Sequence, residues 1–135
     1  MICLDTNAVI GLLNGRDAAL RARFEAQIAM GARMLLPAVA LFELRCGQFK
    51  SDRRRASQTQ LERLLSRGLA IAPFEEADAA HAGDIRAHLE AKGTPIGAYD
   101  ILIAAQARCR GATLVTANTR EFDRVPGLLV VDWAA

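Results

Sequence analysis

Asp100 stands alone among apolar residues in Ile96-Gly97-Ala98-Tyr99-Asp100-Ile101-Leu102-Ile103-Ala104-Ala105. Read as a helix, this run puts Ile96, Gly97, Ile103 and Ala104 one turn away from it, so the carboxylate lies on an apolar face. A lone buried carboxylate is costly unless something pairs with it. Glu43 repeats the pattern inside Pro37-Ala38-Val39-Ala40-Leu41-Phe42-Glu43-Leu44, and Asp5 ends the apolar opening Met1-Ile2-Cys3-Leu4. No basic residue shares these faces. Close carboxylates cannot all stay ionised without a counter-charge, so the missing partner is expected to be a cation from solution. Hard divalent ions prefer oxygen ligands, and magnesium is commonly held by one or two carboxylates plus waters. Manganese can substitute for it.

The elements that must position these acids alternate between apolar runs and helical stretches. Strands are expected at Met1 to Leu4, Arg33 to Leu36, Leu69 to Ala72, Ala112 to Thr116 and Leu128 to Val131. Between them fall helices at Thr6 to Leu13, from an Asp17 cap to about Met30, after Pro37 through Glu43, and about Ser51 to Ser66. Two more follow, from Glu75 to Lys92 and around Asp100 to about Arg110, where Gly111 stops the chain. This alternation predicts an α/β fold, a parallel sheet of about five strands with helices on both faces, in one domain over residues 1–135. Ligands of open α/β sheets bind beyond the carboxyl ends of the strands. Asp5, and Asn118 with Glu121, follow two of those ends directly.

Each acid also has a plainer reading. Asp5 before Thr6-Asn7-Ala8 fits a helix N-cap. Glu43 could bond a backbone amide or pair with Arg45 or Arg33. Asp100 could be held by Tyr99 or another hydroxyl. Asn118-Thr119-Arg120-Glu121 has the form of a capping box. Any one of these would suffice singly, but together they would all have to hold by coincidence, which favours a metal site.

Composition narrows the class. At 135 residues the chain suits one domain with a proper core. No apolar run is long enough to span a bilayer, and the opening lacks the basic leader of a signal peptide, so a cytoplasmic protein without a membrane role is expected. Cys3, Cys46 and Cys109 are odd in number and scattered, and read as buried thiols. The net charge of +2 is too small to prove a nucleic-acid ligand. Two clusters, Lys50 with Arg53 to Arg55 and Arg16 with Arg21 and Arg23, could still contact phosphates.

Other chemistries find little support. There is no Gly-x-Gly-x-x-Gly and no phosphate loop ending in Gly-Lys-Ser/Thr. None of the three serines sits in a nucleophile elbow. His81 and His88 are two turns apart, which is wrong for a zinc pair.

Four segments together resemble the PIN domain, and in order and spacing the VapC group of toxin ribonucleases. They are Met1-Ile2-Cys3-Leu4-Asp5-Thr6-Asn7, Ala40-Leu41-Phe42-Glu43-Leu44, Ile96 to Ala104, and Leu114-Val115-Thr116-Ala117-Asn118-Thr119-Arg120-Glu121-Phe122. The likeness runs from the first strand to Val131-Asp132-Trp133. It implies a PIN-like three-layer fold and a magnesium- or manganese-dependent endoribonuclease acting as the toxin of a type II toxin–antitoxin pair, often on transfer RNA. It also implies a cognate antitoxin and a toxin homodimer. The matching acids would be Asp5 and Asp100 as metal ligands, with Glu43 completing a catalytic triad. Many PIN domains carry a fourth aspartate where this chain has Asn118, so Glu121 is expected to take over that role. Thr116 and Asn118 would then orient waters or ligands, and Thr6 would steady Asp5.

Three alternatives remain: a housekeeping RNA-processing nuclease of the same chemistry, a catalytically silent RNA-binding PIN-like module, and a phosphoacceptor signalling domain. The intact acids argue against the second. The absence of a lysine after a late strand argues against the third.

Overall fold

The computed structural model describes residues 1–135, and its five short apolar runs pair into one sheet. The strands are β1 (Ile2–Leu4), β2 (Met34–Pro37), β3 (Leu69–Ala72), β4 (Thr113–Val115) and β5 (Leu129–Val131). All neighbours are parallel, in the spatial order β3-β2-β1-β4-β5. Chain order therefore runs outward from β1 on one side and from β4 on the other. The reversal falls between β1 and β4, where a crevice opens beyond the strand ends.

Seven helices connect the strands: α1 (Thr6–Asn14), α2 (Ala18–Ala29), α3 (Ala38–Lys50), α4 (Arg54–Leu65), α5 (Glu76–Ala91), α6 (Ala98–Cys109) and α7 (Thr119–Phe122). Right-handed crossovers carry α1 to α4 over one face of the sheet and α5 and α6 over the other. In agreement, α1 packs on α2, α3 and α4, while α5 packs along α6. This is the three-layer α/β architecture expected. A single cluster of 30 buried residues fills it, including Leu36, Ile103 and Leu114.

Local signals account for most boundaries. Asp17 caps α2 by accepting from the Leu20 amide at 3.0 Å. Gly111, at φ 63°, ends the α6 turn in a backbone conformation that side chains disfavour. The fourth helix begins later than expected, at Arg54 rather than near Ser51. The Ser51 hydroxyl accepts from the Arg53 amide at 3.1 Å, and this local turn separates α3 from α4.

The cysteines differ in part from expectation. Cys3 is buried, and burial pushes its thiol up to about 11, but Cys46 and Cys109 are only half-buried. No helix is long and apolar enough to cross a membrane.

Candidate active site

The sheet register builds the floor of the site. Leu4 pairs with Val115, and Val115 with Val131, so the next residues of three strands, Asp5, Thr116 and Asp132, stand level with one another. The ladder carries on through them: the Asp5 amide donates to the Val115 carbonyl at 3.1 Å, and the Thr116 amide to the Val131 carbonyl at 3.0 Å. Asp5 is only 4% exposed. It does cap α1, accepting from the Ala8 amide at 2.8 Å. The Thr116 side chain lies beside this carboxylate and also favours its charged form. Burial nevertheless raises its pKa above the ordinary aspartate range, against the influence of Thr116 and the Ala8 amide, and the charges of Glu43 and Asp132 push the same way.

Two helices supply the walls. Glu43, on α3, is held by the Thr6 hydroxyl, which donates to its Oε1 at 2.7 Å. Thr6 was expected to steady Asp5. It sits instead on the first turn of α1, toward α3, and Thr116 takes the place beside Asp5. Nor does Glu43 pair with Arg45, whose guanidinium donates to Gln48 at 2.9 Å.

Asp100, in the first turn of α6, is pushed up to about 6 by burial first, then by the charges of Glu121, Glu43 and Asp5. No hydrogen bond or cation offsets these effects. Tyr99 does not hold it, since that ring turns to meet Phe42. The four ion pairs of the molecule, Arg67–Glu25, Arg86–Glu90, Arg108–Asp84 and Arg110–Asp78, all involve other acids.

The capping box at α7 does not form. Asn118 occupies the cap position but makes no side-chain cap hydrogen bond. Its Nδ2 donates to Glu121 Oε2 at 2.9 Å, while its backbone amide donates to Thr116 Oγ1 at 3.0 Å. The side-chain amide of Asn118 thus holds the carboxylate of Glu121, whose charge acts on Asp100 more than that of Glu43 or Asp5.

Two residues were not singled out as site residues from the sequence. Asp132 reaches the neighbourhood of Asp5 only through the β4–β5 register. Gln106, fully buried on α6, is a clamp. Its Nε2 donates to the carbonyls of Ala72 at 2.7 Å and Pro73 at 3.0 Å, and its Oε1 accepts from the Val39 amide at 3.3 Å. It thereby ties the helix of Asp100 to the first turn of the helix of Glu43. A buried amide that makes several backbone hydrogen bonds could be suspected from its apolar surroundings, but its partners could not.

The donor set suits a hard divalent cation. It is all oxygen, contains several carboxylates, and has no internal positive charge to neutralise them. No group of three such side chains is drawn close enough to enclose an ion unaided, so waters would supply other positions, as they commonly do around magnesium.

Beside the acids, a groove of about 340 Å³ runs from Glu43 past Gly47 and Gln48 to Ser51 and Ser57. Ser51 also borders the hollow formed with Arg53, Arg54 and Arg55. The other basic cluster is partly committed elsewhere, because Arg21 donates to the Leu12 carbonyl at 2.9 Å.

Known proteins resemble this chain over nearly its whole length. Residues 2–128 match the family described as PIN domain. The chain is 39% identical over 131 residues to the tRNA(fMet)-specific endonuclease VapC of Shigella flexneri, covering 97% of this chain and 96% of that protein. It is 35% identical over 130 residues to Ribonuclease VapC2 of Rickettsia felis, covering 96% of each. Among solved structures, it superposes on a chain of VapBC2 from Rickettsia felis, bound to a DNA fragment from their promoter, with a TM-score of 0.92 and 34% identity. That match covers 98% of this chain and 99% of the other. A chain of DNA-bound VapBC from Salmonella typhimurium gives a TM-score of 0.89 at 38% identity, covering 98% and 97%.

Proposed function

The chain belongs to the PIN-domain family, and on that premise we propose that it is the toxin of a VapBC-type pair, an endoribonuclease that needs a divalent metal. The observation that carries the reading is the group of acids around Asp100, buried or half-buried and without a basic partner, at the switch point of the sheet. Full-length likeness to ribonucleases and to VapBC structures supports the reaction class and a cognate antitoxin partner. The name of the Shigella relative makes transfer RNA the first substrate to try. Magnesium is the proposed ion, with manganese as substitute, and the working form is a homodimer acting on RNA in the cytoplasm.

Asp5 and Asp100 would hold the ion, with Glu43 and Glu121 completing the catalytic acids. When bound, the cation supplies the charge that activates a water against the phosphodiester and stabilises the leaving oxygen. The chain's own part is orientation. The Ala8 amide and Thr116 fix Asp5, Thr6 fixes Glu43, and Asn118 fixes Glu121. Asp100 has no such anchor and keeps a raised affinity for a proton, which it must give up as positive charge enters. The uncompensated acids repel a phosphate backbone, so substrate and cation should bind together. Basic residues around Arg53 to Arg55, at the far end of the groove, would grip the backbone outside the acidic zone.

The test is cleavage of RNA by purified protein with magnesium, manganese or chelator, together with expression in cells lacking the antitoxin. Wild type should cut RNA only with metal and arrest growth, while a soluble Asp5→Ala protein should do neither. Metal-independent cutting, or undiminished toxicity of Asp5→Ala at equal expression, would sink the reading.

A further inference from the structure

Phe42 and Tyr99 immediately precede Glu43 and Asp100, and their rings meet edge to face with centroids 5.3 Å apart and planes at 70°. Both are open to solvent, Phe42 at 51% and Tyr99 at 49% exposure. Aromatic side chains are scarce in this chain, and Phe24, Phe122 and Trp133 are spent in the core. Phe49, also exposed, lies two helical turns further along α3 and has no ring partner. Leaving two large rings in water forgoes the stabilisation that burying them would give. The pair is not loosely hung, however, because the Gln106 clamp joins the two helices that carry it.

Position gives the pair its meaning. Adjacent residues lie about 3.8 Å apart along the backbone, so each ring stands one residue from a carboxylate of the site. A strand whose phosphate sits at the acids brings a neighbouring base within reach of these rings. Bases stack on aromatic faces with little regard to sequence, and single-stranded or looped RNA offers such bases unstacked. We propose that Phe42 and Tyr99 form a stacking platform for an unpaired nucleobase next to the phosphate being cut. This rests on the nuclease reading and deepens it: the platform selects flexible, unpaired RNA, because a paired base would first have to leave its helix.

The experiment compares wild type, Phe42→Leu, Tyr99→Leu and Tyr99→Phe on a single-stranded RNA that wild type cuts in magnesium. A second copy of that RNA lacks the base beside the mapped cut. Each leucine variant should raise KM about tenfold, the scale of losing one stacked base, with kcat little changed and thermal stability retained. Tyr99→Phe, which keeps the ring, should behave as wild type. The abasic RNA should raise the KM of wild type by a similar factor and add little to that of the leucine variants, since the same contact is lost once. Unchanged KM in both leucine variants, with wild type active, overturns the platform and leaves the nuclease standing. A shift in oligomeric mass at unchanged KM also overturns it, and gives the rings to a contact between copies. Failure of wild type to cut any RNA with metal strikes the nuclease reading itself, and the platform with it.

Discussion

The hydroxyl of Thr6 donates to the carboxylate of Glu43 at 2.7 Å across 37 positions of sequence. This contact joins the first turn of α1, directly after Asp5, to the middle of α3. It is the hydrogen bond that fixes how Glu43 faces the other acids. Thr6→Val keeps the shape and removes the donor. Losing an outer partner of a metal-site group commonly costs 10- to 100-fold in activity or metal affinity. We expect that loss in kcat/KM, with a change in unfolding free energy of about 1 kcal/mol or less. Thr6→Ser should restore most of the activity. Equal activity of Thr6→Val and wild type would remove Glu43's orientation from the mechanism.

Metal should stabilise the protein. An ion that binds only the native state raises its stability by about 2.7 kcal/mol at a hundredfold excess over Kd. Magnesium and manganese should therefore raise Tm in thermal melts, and Asp100→Asn should abolish that response. Without metal, Asp100→Asn should melt at or above the wild-type temperature, because one repelling, partly buried charge is gone. An equal metal shift in both proteins would place the ion elsewhere.

The pH dependence has a definite sign. The Asp100 carboxyl is pushed up to about 6 when folded, against about 4 in an unfolded chain. The native state thus holds this proton more tightly. The associated stability is fully present below about pH 4 and is lost as pH rises through about 6. In chelator, the wild type should lose on the order of 1 kcal/mol relative to Asp100→Asn across this window, allowing for solvent screening. Asp5 is shifted in the same direction and Glu25, Asp78 and Asp84 in the opposite one, and because both proteins share these groups the difference between them isolates Asp100. Urea unfolding at a series of pH values measures both. A difference between the two proteins that does not change with pH would contradict the raised proton affinity of Asp100.

Glu121 and Asn118 can be separated. Glu121→Gln keeps size but removes charge, and should cut kcat strongly while lowering the proton affinity of Asp100, whose leading charge neighbour is Glu121. Asn118→Ala removes the 2.9 Å hydrogen bond to Glu121 but no helix cap. Its stability cost should fall below the ~1 kcal/mol typical of a lost N-cap, with the main effect on cleavage rate. Normal cleavage by both variants would remove Glu121 from the proposed catalytic acids.

Gln106→Leu tests the clamp. The change leaves the Val39 amide and the Ala72 carbonyl without their partner, at a cost of about 2–3 kcal/mol by thermal or urea unfolding. A loss below about 0.5 kcal/mol would show that water replaces the amide without penalty.

Much of this was legible in the sequence, for identifiable reasons. Short apolar runs between Gly, Pro and capping residues marked the strands, and Leu69 to Ala72 coincides with β3 at both ends. Asp100 announced itself because no cation lies on its helical face. Contacts set by register or by long-range docking were hidden. Asp132 stands level with Asp5 only because Val115 pairs with Val131. Thr6 looked like a companion of its neighbour Asp5, yet helix geometry directs its hydroxyl to Glu43. The Asn118 motif fits a capping box by spacing, but the side-chain amide bonds the Glu121 carboxylate directly. Local patterns place a residue on an element and cannot say which distant element faces it.

The floor formed by Asp5, Thr116 and Asp132 has a consequence for biosynthesis. Its first member belongs to the first strand made, and the other two to the last two strands. During translation Asp5 emerges early but has no β4 beside it until about 110 more residues have followed. The helices can form as they leave the ribosome, since their contacts are local. The floor cannot. A growing or stalled chain that stops before Thr113 therefore lacks this floor whatever its first half has folded into, and on the proposed site its activity would arise only as each molecule is finished.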